Sequence, residues 1–183
     1  MMLNWETSTG RVAMPSAYDE LSRVKRWVCL RRENGELIPY AAMKVDMPIN
    51  PLIEKNWATQ SDAIKSVMNQ ELDAVGLVLN GDGVVAIHFD DCVEGILIRP
   101  GALEFMLEIG CGLVEIDVHG SGILGLGYAP NLKSKEVTTF KGMPVAIRTD
   151  RACIPISGEV VIGAGLRDLD TQKMLRTMFS YKQ

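Results

Sequence analysis

The stretch AVGLVLNGDGVVAIHFDD, residues 74–91, decides the predicted fold. Two apolar runs, residues 74–79 and 84–89, flank the sequence NGDG at residues 80–83. Asn, Asp and Gly tolerate the positive φ angles of a tight turn, so this pattern is typical of a β-hairpin. We therefore expect the two runs to be neighbouring antiparallel strands in the middle of the protein.

A histidine and two aspartates stand where the second of these runs ends. His88 and Asp90 are two residues apart, so on a strand both side chains point to the same face. Asp91, on the adjacent face of the strand or in the loop that follows, could assist them. A carboxylate beside an imidazole suits divalent-metal or phosphate chemistry, which makes His88, Asp90 and Asp91 candidate metal ligands. The alternative interpretation is an ordinary polar strand end, with His88 satisfied by a neighbour.

Composition favours one domain, residues 1–183, with a substantial core, because 47% of the residues are apolar. The net charge of −4 argues against a generally basic nucleic-acid binder but leaves a local basic groove open. We expect no secretion signal and no membrane span, since neither has a matching apolar run. The four widely spaced cysteines favour free thiols and predict a cytoplasmic location.

The remaining patterns predict an α+β fold, with a mostly antiparallel or mixed central sheet and a few packed helices. Thr59 or Ser61 is suited to cap the second helix. The predicted helices cover residues 17–25, 56–69, 99–110 and 168–181, and the further strands cover residues 26–32, 37–40, 113–118, 123–128, 137–141, 145–149 and 154–162.

A glycine-rich turn, HGSG at residues 119–122, separates two of these strands. Gly120 and Gly122 could open backbone N–H groups toward a phosphate, and with Ser121 they form a candidate nucleotide- or phosphate-binding turn. His119 becomes a candidate catalytic residue if its strand pairs near the first histidine. The alternative is that the glycines only permit a tight hairpin.

The order of these signals resembles the small primase-polymerase domain of phages, plasmids and other mobile elements, in the archaeo-eukaryotic primase superfamily. In that family a strand like RWVCLRRENGELIPY (residues 26–40) precedes a helix entrance with Trp and Thr (residues 56–64). A hairpin ending in an acidic D-x-D follows (residues 76–91), and then a strand leads to a Ser-Gly-rich turn with a histidine (residues 115–124). The resemblance covers residues 26–158 and implies a primase-polymerase-like core.

The chain departs from that family at its active site. The family's first metal-binding aspartate falls on His88, its second on Asp90, and its nucleotide-contacting histidine on Leu124. A later basic-aromatic strand falls on residues 152–158, ACIPISG, without its polar contacts. Two-metal phosphoryl transfer needs several carboxylates, and Mg²⁺ prefers oxygen ligands. The departures therefore imply no templated polymerisation and favour Mn²⁺ or Zn²⁺ over Mg²⁺ at a His/Asp pair.

Two hypotheses for the function follow. The first is a non-polymerising accessory or interference factor of a mobile element, which binds single-stranded DNA or a replication or conjugation protein. The alternative is a metal-dependent nuclease or nucleotide hydrolase in which His88, Asp90 and His119 act with Mn²⁺ or Mg²⁺. Basic side chains could line a groove for DNA, or could be an ordinary solvated surface: Arg26, Arg31, Arg32, Lys44, Lys133, Lys135, Lys141, Arg148 and Arg151.

Overall fold

The structure, a computed structural model, describes residues 14–70 and 72–180. Residues 1–13 and 181–183 of the predicted domain lie outside this range, as does the last residue of the predicted C-terminal helix. The helices are α1 (Asp19–Ser22), α2 (Gln60–Asn69), α3 (Pro100–Glu108) and α4 (Thr171–Ser180), and 3-10 turns cover Ser16–Tyr18 and Glu54–Asn56. The strands are β1 (Trp27–Glu33), β2 (Glu36–Tyr40), β3 (Ala74–Asn80), β4 (Val84–Phe89), β5 (Val93–Glu94), β6 (Leu97–Ile98), β7 (Leu113–Ile116), β8 (Ile123–Tyr128), β9 (Lys135–Phe140), β10 (Met143–Arg148), β11 (Asp150–Ile156) and β12 (Val160–Gly163).

The strands form two large antiparallel sheets. A four-stranded sheet has the order β11-β3-β1-β2, a six-stranded sheet has the order β12-β7-β8-β4-β10-β9, and β5 and β6 form a small hairpin. The predicted α+β class is confirmed, but two sheets replace the single central sheet that the sequence predicted. Within the part of the chain that the structure describes, no helix is long and apolar enough to cross a membrane.

The prediction that β3 and β4 pair with each other is wrong. The two strands lie in different sheets, because β3 is flanked by β1 and β11 while β4 is flanked by β8 and β10. The intervening turn is held from outside: the Arg26 guanidinium pairs with Asp82 and donates to Asn80 Oδ1 at 3.2 Å, and Gly81 N–H donates to Thr149 O at 3.2 Å. The resemblance to primase-polymerases therefore loses this hairpin and rests on the order of its sequence motifs.

A bent two-stranded ribbon connects the sheets instead. The segments β3–β4 and β10–β11 run side by side, with Asn80 opposite Asp150 in one sheet and Ala86 opposite Arg148 in the other. The ribbon changes sheet beside Arg151, whose φ of 49° accompanies a register shift in β11. A bulge of this kind bends a strand, so the crossing places the two sheets face to face.

The core has three layers that follow the alternation of side chains along the strands. On β4, Val84 and Ala86 join the central cluster between the sheets, while Val85, Ile87 and Phe89 join the outer cluster beneath α3 and α4. A third cluster covers the other side of the four-stranded sheet. We call the side of the six-stranded sheet that carries Val84 and Ala86 the inner face.

A buried carboxyl group lies between the sheets on this inner face. Glu115 of β7 accepts hydrogen bonds from the Tyr18 hydroxyl and from the backbone N–H groups of Ser157 and Gly158, both at 2.9 Å. Burial raises the pKa of Glu115 to about 7, against the opposing effect of these three donors. The contact ties the N-terminal segment to the connection between β11 and β12.

The raised pKa of Glu115 predicts a fall in stability as the pH rises. The protonated form is favoured in the folded protein, so its contribution is fully present below the ordinary pKa of 4.5 and is lost as the pH approaches about 7. We expect the free energy of unfolding to fall by about 3 kcal/mol across this window, and Glu115→Gln to remove that fall. Urea unfolding at several pH values measures it.

Tyr18→Phe is the matched control, because it keeps the carboxyl group and should keep the fall, or enlarge it, since one of the donors that oppose the effect of burial is lost. An equal fall in the Gln variant would assign the effect to other groups.

Candidate functional site

A cavity of about 200 Å³ lies between the inner face and β11. On the sheet, His88 of β4 is flanked by Leu124 of β8 and Ala146 of β10, and Arg148 lies diagonally across from it on the same face. The polar residues that line the cavity are His88, Asp117, His119 and Arg148, and the apolar ones are Ala86, Val118, Leu124, Ala146, Ile154 and Pro155. Charged groups thus meet an otherwise apolar inter-sheet space at this point.

The His88 ring lies between two carboxylates. Its Nδ1 is 3.2 Å from Asp90 Oδ1, and its Nε2 is 3.0 Å from Asp117 Oδ2. One nitrogen or oxygen atom from each of the three residues lies within 4.8 Å of the others, which makes them a group able to hold a metal ion. We call these three residues the His–Asp group. Its members differ in access, because Asp117 is buried while Asp90 is exposed to solvent on 43% of its side chain.

Backbone amides of the following turn hold the Asp117 side chain in position. Its Oδ1 accepts hydrogen bonds from the backbone N–H groups of His119 at 3.0 Å and Ser121 at 3.1 Å. Burial alone would raise the pKa of Asp117, but hydrogen bonds from His88 and from backbone amides of the turn outweigh it and lower the pKa to about 2. The group is therefore an ionised carboxylate at neutral pH, with Oδ2 directed at the histidine.

The sequence prediction missed Asp117, although a signal for it was present. Residues 113–117 alternate along the strand, and Leu113, Glu115 and Asp117 share the inner face. Two acidic residues on a face that should be apolar already mark an unusual position. The spacing could not say that His88, from a strand two positions away in the sheet, would meet the second of them.

Asp91, predicted as a third metal ligand, lies outside the His–Asp group. Its backbone has a φ of 51°, which turns the chain away from β4 and into the β5–β6 hairpin. The next two amides, of Cys92 and Val93, both donate to Ser121 O at 2.9 Å. Asp117 stands with His88 and Asp90 in its place.

The predicted phosphate-binding turn lies beside the group, with its amides engaged. Gly120 N–H donates to Asp117 O at 3.0 Å, while the amides of His119 and Ser121 bind the Asp117 carboxylate. At Gly122, a Cβ would meet Phe89 O at 2.3 Å and Asp117 Oδ2 at 2.7 Å, so only glycine allows this close approach. Phosphate binding at Gly120, Ser121 and Gly122 stays a prediction.

His119, the other predicted catalytic residue, lines the same cavity with an exposed side chain but is not a member of the His–Asp group. The histidines thus converge on one cavity, and only one of them reaches the carboxylates. A catalytic role for His119 stays a prediction.

The donor atoms of the His–Asp group suit some divalent ions better than others. Mg²⁺ requires near-octahedral oxygen coordination, whereas imidazole nitrogen with carboxylate oxygen suits Mn²⁺, Zn²⁺ or Fe²⁺. Two residues that flank His88 on the sheet, Leu124 and Ala146, offer no ligand atom. The group therefore offers one imidazole and two carboxylates within 4.8 Å of one another, a donor set able to hold a metal ion.

The contacts of Asp117 predict its contribution to stability. Asp117→Ala leaves the amides of His119 and Ser121 without their acceptor, and we expect it to cost about 1–3 kcal/mol in urea unfolding at neutral pH. Because the pKa is lowered, this contribution is present above the ordinary value of 3.8 and is lost as the pH falls toward about 2.

Asp91→Asn is the matched control, since Asn tolerates the same left-handed backbone and we expect a change within about 0.5 kcal/mol. Equal stability of Asp117→Ala and wild type would contradict the assigned hydrogen bonds.

Comparison of the chain with known proteins does not assign it to a family. Neither a protein-family model nor a curated protein matches the sequence. The function is therefore inferred from the residues of the site.

Proposed function

We propose that this protein is a non-polymerising nucleic-acid-binding domain, related to the primase-polymerases, that acts as an accessory or interference factor of a mobile element. The observation that carries the proposal is the position of His88 between Asp90 and Asp117, with Leu124 and Ala146 on either side. A polymerase of that family would need additional carboxylates here to hold two metal ions.

The electrostatics of the cavity support binding rather than phosphoryl transfer. Both carboxylates already pair with a ring nitrogen of His88, so the polar atoms of the group have partners within the protein. Arg148 and His119 then remain as the other polar residues at the cavity wall. Arginine pairs with phosphate oxygens in a fixed, two-pronged geometry, which suits a nucleic-acid backbone.

Single-stranded DNA is the proposed ligand, because its flexible chain can place a phosphate against Arg148 and an unpaired base against the apolar cavity wall. The net charge of −4 confines this binding to a local surface. A replication or conjugation protein is the other partner class, and the binding experiment separates the two.

Binding of single-stranded DNA should weaken steeply with salt, because phosphate contacts release counterions. Arg148→Gln should lower the affinity several-fold and reduce the salt slope by about one. Fluorescence anisotropy with a labelled oligonucleotide, in EDTA and at two salt concentrations, measures both.

Lys65→Gln is the matched control, since it removes the same charge from the exposed side of α2 and should change the affinity less than twofold. Failure to bind even at about 50 mM salt would reject DNA as the ligand and favour a protein partner.

The His–Asp group also supports a second candidate function, metal-dependent phosphodiester or nucleotide hydrolysis. Primer extension with Mg²⁺ should be undetectable, and any cleavage should prefer Mn²⁺ and vanish in Asp90→Ala. His88→Asp should not restore extension, because Leu124 still lacks a polar group. Extension of a labelled primer and nicking of a labelled strand are measured side by side, with folding checked by circular dichroism.

Robust Mg²⁺-dependent extension by the wild-type protein would refute the non-polymerising assignment. Cleavage that survives Asp90→Ala would place hydrolysis outside the His–Asp group.

A further inference from the structure

We infer that the His–Asp group is a binding site for a single divalent transition-metal ion and that Asp117 is its fixed ligand. The site would hold Zn²⁺ or Mn²⁺ through one ring nitrogen of His88, one oxygen of Asp90 and Oδ2 of Asp117. This inference goes beyond the proposed function, since the ion can bind whether or not DNA does.

The two oxygens of Asp117 have different partners. Oδ1 is occupied by two backbone N–H groups, at 3.0 Å and 3.1 Å, while Oδ2 faces the histidine ring. Metal sites are built in this way, with outer hydrogen bonds orienting a ligand so that one donor atom is presented to the ion.

Carboxylate oxygens lie on both sides of the His88 ring. Asp90 Oδ1 is 3.2 Å from Nδ1 and Asp117 Oδ2 is 3.0 Å from Nε2, so an ion bound to either ring nitrogen has a carboxylate oxygen beside it. Imidazole nitrogen and carboxylate oxygen are the donors that Zn²⁺ and Mn²⁺ accept in proteins.

An ion can reach the His–Asp group from solvent, and the described residues contain one such group. His88 and Asp117 both line the inter-sheet cavity, and Asp90 is open to solvent, so an ion can enter without unfolding. The His–Asp group is the one cluster of three or more such ligands in residues 14–70 and 72–180. We therefore expect one ion per chain.

The test is isothermal titration of the metal-free, full-length protein with Zn²⁺, Mn²⁺ and Mg²⁺, without nucleic acid. We expect one ion per chain, with affinity in the order Zn²⁺, Mn²⁺, Mg²⁺. His88→Gln and Asp117→Asn should each weaken Zn²⁺ binding more than about tenfold. Asn is the informative replacement, because its carbonyl oxygen can still accept the two amides of the turn while its amide nitrogen replaces the ligand oxygen.

Asp91→Asn and Glu94→Gln are the controls, since they change exposed carboxylates that follow β4 and lie outside the His–Asp group, and each should keep the affinity within about twofold. The inference is overturned if no ion binds, if Asp117→Asn and His88→Gln bind like wild type, or if the two controls lose binding as well. The DNA-binding experiment is done in EDTA, so its failure is separate from failure here.

Discussion

The crossing of one ribbon between two sheets is the constraint on which the rest of the structure depends. Because β3 and β4 are consecutive in sequence but each is paired on both edges with other strands, the chain must leave one sheet and enter the other within three residues. The same happens between β10 and β11, alongside. The Arg26 ion pair with Asp82 and the Gly81–Thr149 hydrogen bond close this crossing. The two inner faces are thereby stacked, and every polar side chain on them needs a partner.

Glu115 and Asp117 show how two acids on one face acquire opposite properties. Both are buried on the inner face, yet the pKa of Glu115 is raised to about 7 and that of Asp117 is lowered to about 2. Each accepts two backbone amides, so the amides alone do not distinguish them. The difference is that Asp117 lies at the end of its strand against His88, whereas Glu115 lies deeper, against the neutral Tyr18 hydroxyl. Glu115 consequently links the two sheets, whereas Asp117 forms part of the His–Asp group.

Sequence reasoning recovered what depends on local pattern. The apolar runs of β3 and β4 and the Thr59 cap of α2 have local causes, and these elements form where the pattern predicts them. Pairing of β3 with β4 failed because it depends on competition: β1, β8, β10 and β11 are better placed along the edges of those strands. The residues of the site likewise fall into those that local spacing predicts and those that depend on strand order. The pair His88 and Asp90 follows from their spacing, whereas Asp117 reaches them only through the order of strands β7, β8 and β4.

The histidine at the end of β4 lies between carboxylates from two different parts of the chain. Asp90 and Asp117 lie against opposite ring nitrogens of His88, at 3.2 Å and 3.0 Å, so the ring connects the two carboxylates in one group. The turn at residues 119–122 connects this group to the neighbouring surface, because the Ser121 N–H donates to Asp117 and Ser121 O accepts the amides of Cys92 and Val93. The β5–β6 hairpin, with Ile96 exposed over 97% of its surface, is thus hydrogen-bonded through Ser121 to the Asp117 carboxylate.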